Sequence, residues 1–131
     1  MKPTAAVAGA VLMVLVFLVP AAPSRAATGP VLHFDLAGSL PADSATVQAP
    51  SEVRLWFTEV PADGTVTIRV VDASGTPVQT GAVSQDSEDR RVVRVALQGT
   101  LPPGRYTVPW RGMAADGHVV RGELTFFVAT P

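Results

Sequence analysis

The stretch Ser51-Glu52-Val53-Arg54-Leu55-Trp56-Phe57-Thr58-Glu59 decides how this chain is read. Val53, Leu55 and Phe57 alternate with Arg54, Trp56 and Thr58, a period of two that puts the aliphatic and phenyl side chains on one face of an extended segment. The same alternation recurs on either side of it. Val66, Ile68 and Val70 alternate with Thr67, Arg69 and Val71; Val93, Val95 and Leu97 repeat the pattern, as do Tyr106, Val108 and Trp110. The last run sets Leu124, Phe126 and Val128 against Glu123, Thr125 and Phe127. Turn chemistry separates the runs at Pro61-Ala62-Asp63-Gly64, Asp72-Ala73-Ser74-Gly75, Pro102-Pro103-Gly104 and Asp116-Gly117. No window carries a sustained helical period with caps. Short half-buried strands at this spacing predict an all-β fold, a sandwich or small barrel of antiparallel strands. Ser84 to Arg91 is too polar for a buried strand and reads as a solvated loop. Pro109 lacks a ladder donor inside an otherwise good strand pattern, which predicts an edge or a bulge there.

The N-terminus has a different character. Lys2 precedes an almost unbroken apolar run of 15 residues, Ala5 to Val19, which Pro20 ends; Ser24-Arg25-Ala26 then offers small residues at the −3 and −1 positions of a cleavage site. That order predicts a secretory signal over 1–26 with the cut after Ala26, leaving one domain over 27–131. A membrane anchor is the alternative, but the run is short of the roughly 20 apolar residues that span hydrocarbon. The expectation is an exported protein on the periplasmic or extracellular side, soluble after cleavage.

From Ala27 onward the chain has eight basic residues, all Arg, against eleven acidic ones, a charge of −3. Nothing concentrates basic charge as nucleic-acid binding needs, so nucleic acid is not an expected partner. The absence of cysteine removes disulfides, thiolate metal sites and a cysteine nucleophile. There is no Gly-x-Ser-x-Gly, no His-Glu-x-x-His and no phosphate-binding glycine loop. The chain is therefore expected to bind rather than catalyse, and to do so as a monomer.

Two histidines exist, His33 and His118. His33 opens the expected first strand, with Phe34 and Leu36 on one face and His33 and Asp35 on the other. Asp116-Gly117-His118 can put a carboxylate and an imidazole on one side of an extended segment, and such N and O donors suit Cu(II), Zn(II) or Ni(II). Asp-Gly is also a common turn, after which a histidine is simply exposed.

Longer stretches add to this. His33-Phe34-Asp35-Leu36-Ala37-Gly38-Ser39-Leu40-Pro41-Ala42-Asp43 resembles the start of mature CopC-type periplasmic copper-binding proteins. Ala49-Pro50 through Glu59 resembles that family's Val-x-Leu-x-Phe-Ser/Thr-Glu strand, and Leu101 through Arg111 its Leu-x-x-Gly-x-Tyr-x-Val-x-Trp-Arg strand. Ala115-Asp116-Gly117-His118 and Gly122 through Val128 complete the order, while 60–98 matches only as β-pattern. The resemblance implies a Greek-key β-sandwich of cupredoxin- or immunoglobulin-like character, with about seven to eight strands. It also implies Cu(II) ligation by His33, Asp116 and His118.

There are two departures from the family pattern. In the family the first histidine is residue one and its amine is a ligand; here Ala27 to Leu32 precede His33, so Asp35 or a water is a candidate for the fourth position. Glu59 is a candidate hydrogen-bond partner of a ligand histidine, or else a plain surface residue. The methionine-rich Cu(I) loop of some members has no counterpart, since Met113 is the one methionine after the leader and reads as core filler. Trp110 is expected in the core, Trp56 partly exposed near the site, and Arg111 beside a carboxylate such as Asp116. The expected role is copper sequestration, buffering or delivery in copper homeostasis or resistance, with a membrane copper transporter or another envelope protein as recipient. The alternative is a metal-free envelope binding module that keeps the fold without the site.

Overall fold

The computed structural model describes residues 33–131, together with Pro3 and Gly9. The expected export signal, and the residues between its cut and His33, lie outside the described residues. Eight strands run in chain order: β1 Leu36–Leu40, β2 Thr46–Val47, β3 Glu52–Phe57, β4 Thr67–Ile68, β5 Ser84–Gln85, β6 Val92–Ala96, β7 Gly104–Met113 and β8 Val119–Val128. They form two four-stranded sheets, β1-β3-β6-β5 and β2-β8-β7-β4, whose out-of-sequence neighbours give the Greek-key wiring of a β-sandwich. The pairing is antiparallel throughout, apart from a short parallel contact of β2 with β8, where Thr46 faces Phe127 and Val47 faces Val128.

The inner faces are those the alternation marks. Val53, Leu55 and Phe57 from β3, Val93 and Val95 from β6, Tyr106, Val108 and Trp110 from β7, and Leu124, Phe126 and Val128 from β8 meet in one buried cluster. Phe34 stacks on Phe57 at 5.0 Å, and Trp110 meets the same ring edge-on at 5.5 Å. Buried Tyr106 donates its hydroxyl to the Pro102 carbonyl at 2.6 Å, four residues upstream, which pins the loop entering β7. Burial raises the Tyr106 phenol above its ordinary range, with the nearby Asp72 charge adding to the effect.

At several points the structure departs from what the sequence predicts. Pro109 is at neither an edge nor a bulge: β7 is an inner strand, and Pro109 faces Glu123 of β8 in unbroken register. Its donorless nitrogen lies on the β4 side, where Arg69 N–H donates to the Pro109 carbonyl at 3.0 Å and receives nothing in return. The cost therefore falls on the neighbour, and β4 is only two residues long. Ser84–Gln85, expected in a loop, pairs with Arg94 and Val93 of β6, because an edge strand needs backbone pairing rather than apolar side chains. His33 does not open β1, which starts at Leu36. Met113 is not core filler: it is half-buried at the end of β7, on the outer face opposite Val119.

Candidate metal centre

The site is built at one end of the sandwich, where β7 turns into β8 and the chain enters β1. Ala114 N–H donates to the His118 carbonyl at 2.8 Å and Gly117 N–H to the Ala114 carbonyl at 3.0 Å. Gly117 sits at φ +93°, so the hairpin closes as a tight turn with glycine in the position that side chains avoid. Asp116 and His118 thus come together through the turn, not along an extended strand. Asp116 accepts the His118 backbone N–H on Oδ1 at 3.0 Å, and its Oδ2 lies 2.7 Å from His118 Nδ1. The backbone bond, then the imidazole bond, hold the Asp116 carboxyl below the usual carboxylate range, so it stays ionised. With Nδ1 taken by the carboxylate, Nε2 is the ring nitrogen left for a ligand.

His33 is held at the same end by its neighbours. The Phe34 ring enters the core over Gly112, where an added Cβ would come within 3.1 Å of it. Thr58 Oγ1 donates to the His33 carbonyl at 2.5 Å and accepts the Asp35 N–H at 3.0 Å. These two contacts fix the backbone that follows an exposed imidazole. His33, Glu59, Asp116 and His118 line one surface depression of about 540 Å³, floored by Phe34, Ala114, Val119 and Val120. Asp35 does not line it; its Oδ1 accepts the N–H of Leu36 at 2.7 Å. Trp56 lies instead beside Gly38, lining a different depression, and among the described residues Arg111 makes no ion pair with Asp116 or any other acid. The anchoring roles of Thr58 and Gly112 have no signature in the sequence beyond a polar strand end and a glycine on the inward side of β7.

In chemistry, two imidazoles and two carboxylates fit a borderline divalent ion such as Cu(II) better than a soft one. In arrangement they are open: the His118 side chain is 82% exposed. No three His, Asp or Glu side chains among the described residues are close enough to share an ion. The donors are gathered on one rim but not closed around a centre.

Residues 36–129 match the model of the CopC domain. The chain belongs to the CopC domain family. His33 lies three residues ahead of the matched stretch. Among similar CopC-family proteins, Copper resistance protein C of Xanthomonas campestris pv. juglandis is 31% identical over 116 residues, covering 85% of this chain and 91% of that one. Protein YobA of Escherichia coli K12 is 31% identical over 97 residues, 73% of this chain and 78% of that one. The crystal structure of PcoC, described as a methionine-rich copper resistance protein from Escherichia coli, superposes with a TM-score of 0.68 at 27% identity, covering 74% of this chain and 99% of that one. CopC from Methylosinus trichosporium OB3b gives a TM-score of 0.67 at 28% identity, covering 73% and 93%. The sandwich expected from the alternation is the fold of this family.

Proposed function

We propose that this CopC-family chain is an exported carrier that binds Cu(II) at the rim formed by His33, Asp116 and His118, and that it works in copper homeostasis or resistance. The single observation that carries this reading is the gathering of both histidines after the leader on one depression, with one imidazole already oriented by a carboxylate. The names of its relatives, which include copper resistance proteins, favour copper as the cargo. The chemistry is coordination without turnover. His118 supplies Nε2 and His33 a second imidazole nitrogen, while Asp116 supplies the charge that fixes the first ring; Glu59 and a water, or two waters, complete a tetragonal N/O set. Because the donors stand apart, the ion itself draws the His33 side chain toward the Asp116–His118 turn. Such an open site suits reversible loading and transfer to an envelope partner more than storage.

Thioether capture of Cu(I) has little to draw on, since Met113 is the one methionine beyond residue 26. Location on the outer side of the membrane rests on the N-terminal signal; among the described residues no helix is long and apolar enough to cross a bilayer. Calorimetric titration of the exported protein with Cu(II), alongside His33→Ala and His118→Ala, tests the reading. One tight site lost in either variant is expected. Binding no tighter than to a generic histidine peptide, or unchanged in both variants, refutes it and leaves a metal-free module.

A further inference from the structure

Charge is distributed very unevenly between the two sheets. On the β1-β3-β6-β5 side, Arg54 and Arg94 face each other across β3 and β6, and each is matched by an acid, Glu52 and Asp86 respectively. Arg90 and Arg91, in the turn before β6, pair with Asp63 and Asp89. The outer face of the other sheet is different. Arg111 of β7 stands directly opposite Arg121 of β8, with Thr67 of β4 next in the row. Arg69, bonded to Pro109, lies in the adjoining row with Glu123, and Arg105 faces Phe127 further along. All four arginines are exposed, and among the described residues none makes an ion pair. Glu123 is the single acid in the strands of this sheet.

We propose that this face, carried by β4, β7 and β8, docks on an anionic lipid surface through headgroup phosphates. The net charge of −3 from Ala27 onward does not prevent it. Packed sheets lie roughly 10 Å apart and the Debye length is about 8 Å at physiological salt, so the acids of the far sheet are largely screened from a surface touching this one, while Asp43, Asp72 and Asp116 lie in loops at its margins and off the strands that carry the arginines. What that surface meets is the local positive excess. Arginine suits it, since its planar donor fork binds phosphate in two bonds.

Shape favours lipid over an acidic protein. The ten-residue β7 and β8 strands make a regular ladder about 34 Å long, on which the arginines stand in a lattice rather than converging on one point. Val119 at one end is 42% exposed and Phe127 near the other is 39% exposed, both on this outer face. Apolar side chains flanking a basic face are the pattern of shallow interfacial insertion. Val119 also lines the metal depression, so a docked molecule holds that depression beside the bilayer. The docking does not depend on whether the site takes copper.

The test is co-sedimentation of the exported protein, its N-terminus read by mass spectrometry, with vesicles of equal parts phosphatidylglycerol and phosphatidylcholine, against pure phosphatidylcholine. Binding only to the anionic vesicles, weakening with added salt, is expected. Each basic side chain near such a surface contributes about fivefold, so Arg111→Gln/Arg121→Gln should lose about 30-fold. Arg90→Gln/Arg91→Gln, on the paired side, should lose little, and melting curves check that both variants fold. No binding to anionic vesicles, equal binding to neutral ones, or an equal loss in the two double variants overturns the proposal. So does capture by polyglutamate in place of vesicles.

Discussion

Gly122→Ala tests how the two tryptophans are held. A Cβ at residue 122 would lie 2.7 Å from Trp110 Cζ2, whereas carbon atoms rest at about 3.5–4.0 Å, so roughly an ångström must be found. Trp110 cannot easily supply it, being 6% exposed and set edge-on against Phe57 at 5.5 Å. Overpacking of this kind costs about 1–3 kcal/mol, and stiffening the unfolded chain returns about 0.4–1 kcal/mol. The net loss of about 1–2 kcal/mol corresponds to a fall in Tm of about 5–15 °C for a domain near 100 residues. The control is Gly38→Ala, whose Cβ would come closer still, 2.3 Å from Trp56 Cζ2. Trp56 is half-buried on the outer face and has room to swing away, so this variant should lose less. Urea and thermal unfolding followed by tryptophan fluorescence measure both, and a lower urea midpoint at unchanged m is expected for Gly122→Ala. Melting of Gly122→Ala at or above the wild type, or a larger loss in Gly38→Ala, would show that Trp110 is not held tightly against residue 122.

Other outcomes follow from single contacts. Asp116→Asn should lower Cu(II) affinity by about 10–100-fold in calorimetry while leaving Tm almost unmoved, because the pair is exposed but orients the imidazole; a matching loss of stability would contradict this. Tyr106, the only tyrosine, has its phenol raised in the folded state, so its contribution is complete below about pH 10 and is lost as pH climbs through the folded value. Tyr106→Phe should flatten that alkaline decline and cost about 1 kcal/mol at neutral pH for the bond to Pro102. Asp86 is lowered first by the backbone N–H groups of Asp89 and Glu88 and then by Arg94, so its contribution is present above about pH 4 and fades as pH falls through the folded value. Asp86→Asn should make urea midpoints less sensitive to pH below about 4, and an unchanged acid slope would count against the assignment. Pro109→Val supplies a donor toward Arg69, and slower amide exchange at Arg69 and Val71, whose N–H groups face β7, is the expected readout.

The long strands were legible because burial enforces a period of two: β3, β7 and β8 each have one face in the core. Two of the two-residue strands, β2 and β5, were not. Ser84–Gln85 is held by backbone pairing to Val93 and Arg94 and Thr46–Val47 by pairing to Phe127 and Val128 far along the chain, which leaves no mark on their own side chains. At the site, the residue types and the Asp-Gly turn could be read, but the extended geometry expected for Asp116 and His118 was wrong. That turn signal correctly forecast the local backbone, and the turn achieves the same pairing by folding the carboxylate back onto the ring and its own backbone. The position of Asp35 outside the depression was not readable, because the turn of its carboxylate onto the Leu36 N–H is set by the local backbone. Met113 misled for a related reason: its apolar character says nothing about which face the β7 register presents.

The shortness of three edge strands matters beyond the site. β2, β4 and β5 have two residues each, and the fourth edge, β1, has a register shift between Leu36 and Gly38. An unpaired sheet edge recruits the edge of another molecule, and long flat ones seed aggregates. Here no border offers more than a brief run of free amides and carbonyls in register. The missing donor of Pro109 contributes to this by cutting β4 short. A protein without disulfides can therefore build up in a crowded compartment while its sheets do not extend from one copy to the next.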